Sequence, residues 1–102
     1  MKLITPEFEK QFKDYPLGSQ DVEDPLVIAK FFDPCGSATW LITEYDAVEK
    51  RAFGYVMGLQ YDELGYISLE ELESIKRPYG LTIERDIYFR QAPLSTFKEK
   101  QG

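Results

Sequence analysis

The chain has 102 residues, 43% of them hydrophobic and 15% aromatic, with 18 acids, 12 bases and one cysteine. That suits a single domain over residues 1–102 with one packed core, and it excludes a disordered chain, which has too little apolar surface to bury. The formal net charge of −6 disfavours direct binding to DNA, RNA or an anionic membrane, all of which call for a basic patch, and better suits a basic protein partner.

Thr5-Pro6 opens the first predicted helix, with Thr as N-cap and Pro at the first helical position. Phe8 and Phe12 share a face at i, i+4 spacing, and the helix stops before Pro16. Residues 16–24 read as a loop. Leu26–Phe32 and Ala38–Tyr45 form a predicted hairpin around the turn Asp33-Pro34-Cys35-Gly36-Ser37. Arg51–Gln60 is the third strand, with Phe53, Tyr55, Met57 and Leu59 on one face and Gly54, Val56 and Gly58 on the other. Two glycines on one face call for a close approach, and a packed helix is the favoured cause.

The fourth strand is Leu64–Ser68, and Ser68-Leu69-Glu70-Glu71 is a capping box that starts a helix directly behind it. Leu69, Leu72 and Ile75 form its inner face. Lys76 and Arg77 close it with a charge that suits the helix dipole. Leu81–Phe89 reads as an extended segment or edge strand. Pro93-Leu94 starts a short helix through Phe97, and residues 94–102 read as a fraying tail. The expected fold is α+β: a three- to four-stranded antiparallel meander with the N-terminal helix and the post-strand helix packed on one face.

The chain contains no histidine, which removes Ser-His-Asp and Cys-His triads and histidine-based metal sites. One cysteine excludes an internal disulfide and a four-cysteine zinc site, and suits a reducing compartment. No apolar run is long enough for a signal peptide or a membrane span, so a cytoplasmic location is expected. No cofactor-binding or phosphate-loop motif is present, and no catalytic or metal-ligating set stands out. Cys35 has no cationic neighbour in sequence to make it a thiolate.

Several polar groups are still candidates. Glu44 shares strand parity with Trp40 and Ile42; buried, it needs a partner, for which Lys30 is the candidate, and exposed, it lines a shallow surface with Trp40 and Lys30. Glu44 with Asp46 is the basis of an alternative reading as a small carboxylate-dependent hydrolase or nucleotide-binding domain. Asp62, Glu63, Glu70, Glu71 and Glu73 form an acidic stretch suited to a basic partner. The cap explains Ser68 and Glu71 and the helix dipole suits Glu70; Asp62, Glu63 and Glu73 lack a local structural reason. Arg77, Arg85 and Arg90 make a competing positive patch that can pair with the acids or bind an anion, and they are the basis of a third reading, direct nucleic-acid binding.

The blocks Asp24-Pro25, Lys30-Phe31-Phe32, Thr39-Trp40, Thr43-Glu44, Phe53-Gly54 and Gly58-Leu59 come in a recognisable order. They continue through Glu63–Leu72 to Pro78, Gly80-Leu81, Ile83-Glu84-Arg85-Asp86 and Phe89. The pattern resembles DUF2958, a bacterial family of small proteins of unknown function, over roughly residues 2–95. The resemblance implies an accessory role in plasmid, integrative-element or phage biology and supplies no activity or catalytic residue. It adds Trp40, Glu84, Arg85 and Asp86 to the candidate surface. The expected function is therefore a non-enzymatic protein-interaction domain with a surface drawn from Trp40, Glu44, Asp62, Glu63, Glu73, Glu84, Arg85 and Asp86, and no cofactor.

Overall fold

A computed structural model of the chain describes residues 2–99. Thr5 caps helix α1 (Pro6–Phe12) by accepting the Phe8 amide at 3.3 Å. The strands follow as β1 (Leu26–Val27), β2 (Ala29–Phe32), β3 (Thr39–Asp46), β4 (Arg51–Met57) and β5 (Glu63–Ser68). Helix α2 (Leu69–Ser74) leaves β5 without a linker, and the Ser68 hydroxyl accepts the Glu71 amide at 3.3 Å. After a 3₁₀ turn at Pro78–Gly80 come β6 (Glu84–Arg85), β7 (Ala92–Pro93) and α3 (Leu94–Glu99).

The main sheet is antiparallel, in the order β5-β4-β3-β2-β6. Its first four sequential strands are the expected meander. The Leu81–Phe89 segment adds a two-residue fifth strand, β6, beside β2, so that β5 and β6 are the outermost strands. The predicted strand Leu26–Phe32 is split at Ile28: β2 stays in the main sheet, while β1 turns away to pair with β7.

Both α1 and α2 cover one face of the sheet, as expected. Phe12, Leu69 and Leu72 pack there with Phe31, Trp40, Ile42, Tyr45, Ala52 and Ile67. A smaller cluster of Val27, Leu41, Met57 and Leu94, joined by Tyr55, Phe89 and Phe97, fills part of the opposite face under α3. The central strand β3 is therefore buried on both sides from Trp40 to Tyr45.

A β-bulge in β3 is the main departure from the sequence reading. Ile42 pairs with Gly54, but Glu44 pairs with Phe53, so Thr43 is an extra residue. Its hydroxyl donates to the Phe53 carbonyl at 3.1 Å. Strand alternation is reset there, and Glu44 leaves the face of Trp40 and Ile42 for the face of Leu41 and Tyr55.

The same bulge explains Gly54. A Cβ at this position would collide with the Leu41 carbonyl, so the close approach comes from the backbone of β3 and not from a helix. Gly58 lies beyond β4, at φ +82°, against the Ser37 carbonyl. Helix α2 ends at Ser74, before Lys76 and Arg77, because Ile75 is already extended at ψ 124°. Arg77 instead pairs with Asp33 at 3.0 Å.

Candidate functional site

Of the candidate residues, Trp40, Glu44 and Glu63 line concavities beside the free edge of β5, and the others lie elsewhere. In an antiparallel pair, alternate residues direct both main-chain groups toward the partner strand. The Leu69 amide donates to the Lys50 carbonyl at 3.0 Å and sets the phase of the β4–β5 ladder. By that phase Glu63, Gly65 and Ile67 bond to β4, whereas Leu64 and Tyr66 turn their N–H and C=O groups outward. Their side chains are 49% and 68% exposed, unusual for large apolar groups on a strand.

Each side of this edge opens into a concavity. On the helix-covered face, a groove of about 770 Å³ runs between β5 and α2, with Trp40, Val56, Ile67, Leu72 and Ile75 among its walls. Trp40, Val56 and Glu63 are consecutive partners across three strands, so the indole and the carboxylate belong to one row. Gly65 lines the groove, and a Cβ there would meet nothing within 4 Å. Glu63 and Glu71 make its rim acidic.

On the other face a smaller pocket of about 320 Å³ lies between β5 and the 16–24 loop. Its sheet side is a second cross-strand row, Glu44–Phe53–Tyr66. The two rings meet edge to face at 5.0 Å. Glu44 is 4% exposed, and its carboxylate accepts the Gly18 and Gln20 amides, both at 2.7 Å. Gln20 in turn bonds the Leu26 amide and the Leu26 and Thr43 carbonyls, which fixes the loop over the sheet.

Glu44 is therefore buried without Lys30, which pairs with Asp86 at 3.6 Å. Trp40 and Glu44 lie on opposite faces. Asp62 accepts the Gly58 amide at 3.0 Å and shapes the turn into β5. Glu73 accepts the Leu3 amide at 2.8 Å, so it holds the N-terminal segment. Both acids thus have the structural reason that their sequence neighbours do not supply.

Glu84, Arg85 and Asp86 are at the far edge of the sheet. Arg85 donates to the Lys2 and Leu3 carbonyls at 3.0 and 3.2 Å and sits 5.5 Å from the Phe8 ring. This triplet is separated from β5 by the width of the sheet. Asp46 accepts the Val48 amide at 3.0 Å. No group of three or more histidine, cysteine, aspartate or glutamate side chains among the described residues is arranged to hold a metal ion.

Four residues of this site were not singled out from sequence: Phe53, Leu64, Gly65 and Tyr66. The signal was the segment Leu64-Gly65-Tyr66-Ile67, apolar on both faces yet directly before an acidic helix. Such a strand is either central or an edge with a use for its outer face.

No described helix is long and apolar enough to cross a membrane. No curated protein and no solved structure matched the chain. The family model described as "Protein of unknown function (DUF2958)" matches residues 3–101, nearly the full length, and the chain belongs to that family.

Proposed function

We propose that the chain is a non-enzymatic protein-interaction module that binds an extended segment of a partner protein along the free edge of β5. The observation that carries this reading is the outward-facing backbone of Leu64 and Tyr66 between two concavities. A strand added there completes main-chain hydrogen bonds, and its alternate side chains enter the groove and the pocket. Glu63 and Glu71, which line the groove beside this edge, favour a basic partner. With a net charge of −6, a protein is a better partner than a nucleic acid. The family resemblance adds the setting: an accessory role for a bacterial plasmid, integrative element or phage, in the cytoplasm, where Cys35 stays reduced.

Selection of peptides from a random display library against the purified chain tests the reading. The expected binders alternate apolar and basic residues, and Leu64→Pro abolishes their binding. Proline is tolerated at that position because the lost N–H faces solvent and not β4. Binders indifferent to Leu64→Pro, or no binders at all, would refute strand addition.

A further inference from the structure

We infer that the pocket formed by Glu44, Phe53 and Tyr66 is a specificity pocket for one cationic side chain, lysine or arginine, of the strand bound at β5. The inference rests on the strand-addition reading and deepens it.

Glu44 is 4% exposed, yet no lysine or arginine among the described residues forms an ion pair with it. Two backbone amides share its charge, but no opposite charge does. Buried carboxylates are ordinarily paired with a cation, because two neutral donors only partly replace the lost hydration. The pocket that Glu44 lines is also lined by the rings of Phe53 and Tyr66 and by Val22 and Pro25. A carboxylate and aromatic rings are the two kinds of group that attract an alkylammonium or guanidinium ion, and this pocket is lined by both.

The same face already holds cations on its rings. Arg51 lies 5.8 Å from the Tyr66 ring centroid, and the Lys98 ammonium lies 4.8 Å from that of Tyr55. Both are seated at a ring, and neither is paired with Glu44. The strand geometry supplies the delivery. A residue opposite Leu64 or Tyr66 in a hydrogen-bonded pair projects its side chain on their face, over this pocket. Its neighbours project on the other face, into the apolar groove left open by Gly65. The bound segment thus reads cation on one face and aliphatic on the other.

A second copy of the chain is a poorer occupant. Pairing β5 with itself would bring Glu63 and the acids of α2 against their own copies, and like charges at that distance oppose docking.

The test uses a capped eight-residue peptide alternating valine with lysine, and the same peptide with every lysine acetylated, which keeps the stem and removes the charge. Binding is followed by fluorescence anisotropy, and self-association by analytical ultracentrifugation. The lysine peptide is expected to bind about tenfold more tightly, the equivalent of one strong charge contact. That preference is expected to fall below about twofold in Glu44→Gln and in Tyr66→Leu, since removing either group removes one of the two attractions. It is expected to survive in Glu7→Gln, which makes the same net-charge change on exposed α1. Tyr66→Leu keeps the test decisive if Glu44→Gln loosens the loop. Equal binding of both peptides overturns the cation pocket and leaves strand addition standing. A preference that Glu7→Gln weakens as much as Glu44→Gln reduces it to bulk charge and also overturns it. No binding of either peptide removes the strand-addition reading and the pocket together, and dimerisation blocked by Leu64→Pro replaces both with self-pairing.

Discussion

Gly54 and Gly65 are direct partners across β4 and β5, and they are glycines for opposite reasons. At Gly54 the backbone of the bulged β3 occupies the place of a Cβ. At Gly65 that place is empty space in the groove beside α2. One glycine lets the sheet close, and the other keeps a surface open.

Gly54→Ala is therefore expected to destabilise the fold by about 1–3 kcal/mol, because the opposing atoms are backbone and cannot rotate away. Gly65→Ala is expected to be neutral or to stabilise by up to about 1 kcal/mol through the lower chain entropy of alanine. Urea denaturation of the two variants checks both signs. Gly65→Val adds bulk to the groove from a position where a Cβ meets nothing within 4 Å, and is expected to weaken binding of a strand at β5.

Glu44 ties the 16–24 loop to the sheet through the Gly18 and Gln20 amides. Glutamine at position 44 offers one oxygen acceptor and an NH₂ group in place of the second, so one amide loses its partner. The expected cost is about 1–3 kcal/mol, the penalty of a buried unsatisfied donor. Amide hydrogen exchange is the direct measurement: Gly18 and Gln20 should exchange faster in Glu44→Gln, while the amides of β4 keep their wild-type protection.

Two groups tie stability to pH. Burial, reinforced by Glu9, Glu73 and Asp46, raises the Tyr45 phenol above its ordinary value of 10.0. The folded value lies above the unfolded one, so the contribution of the neutral phenol is complete below pH 10.0 and is lost as pH rises through the folded value. Tyr45→Phe should flatten that alkaline loss in thermal melts. Asp24 is shifted the other way, held below 3.8 by the Ser95 amide, then by the Ser95 hydroxyl, with desolvation opposing them and Lys98 adding the smallest lowering. Its oxygens accept those groups at 2.8 and 2.7 Å and cap the start of α3. This contribution is present above 3.8 and lost as pH falls through the folded value, so the Ser95 amide signal should move in acid and not in Asp24→Asn.

What could be read in advance follows the range of the interactions. Thr5 and Ser68 cap their helices through contacts three residues away, and the sequence displays both partners. The meander was legible because short turns join strands of clear alternation. The edge pairing of Glu84–Arg85 with β2, about fifty residues earlier in the chain, had no such local signal. Glu73 and Asp62 have no partner within the acidic stretch itself; theirs are the amides of Leu3 and Gly58, which lie outside it.

The sequence by itself determined the α+β class, both capped helices, the order of the first four strands, the family and the excess of acid. These depend on local periodicity, capping chemistry and composition. The tertiary structure alone decided which side chains share a face. One extra residue at Thr43 moved Glu44 away from Trp40 and into a row with Phe53 and Tyr66, because a strand's side chains alternate with a period of two and a single insertion reverses it. It also decided that β5 ends the sheet. Strand order is fixed by packing between distant segments, and that packing left the backbone of Leu64 and Tyr66 unpaired.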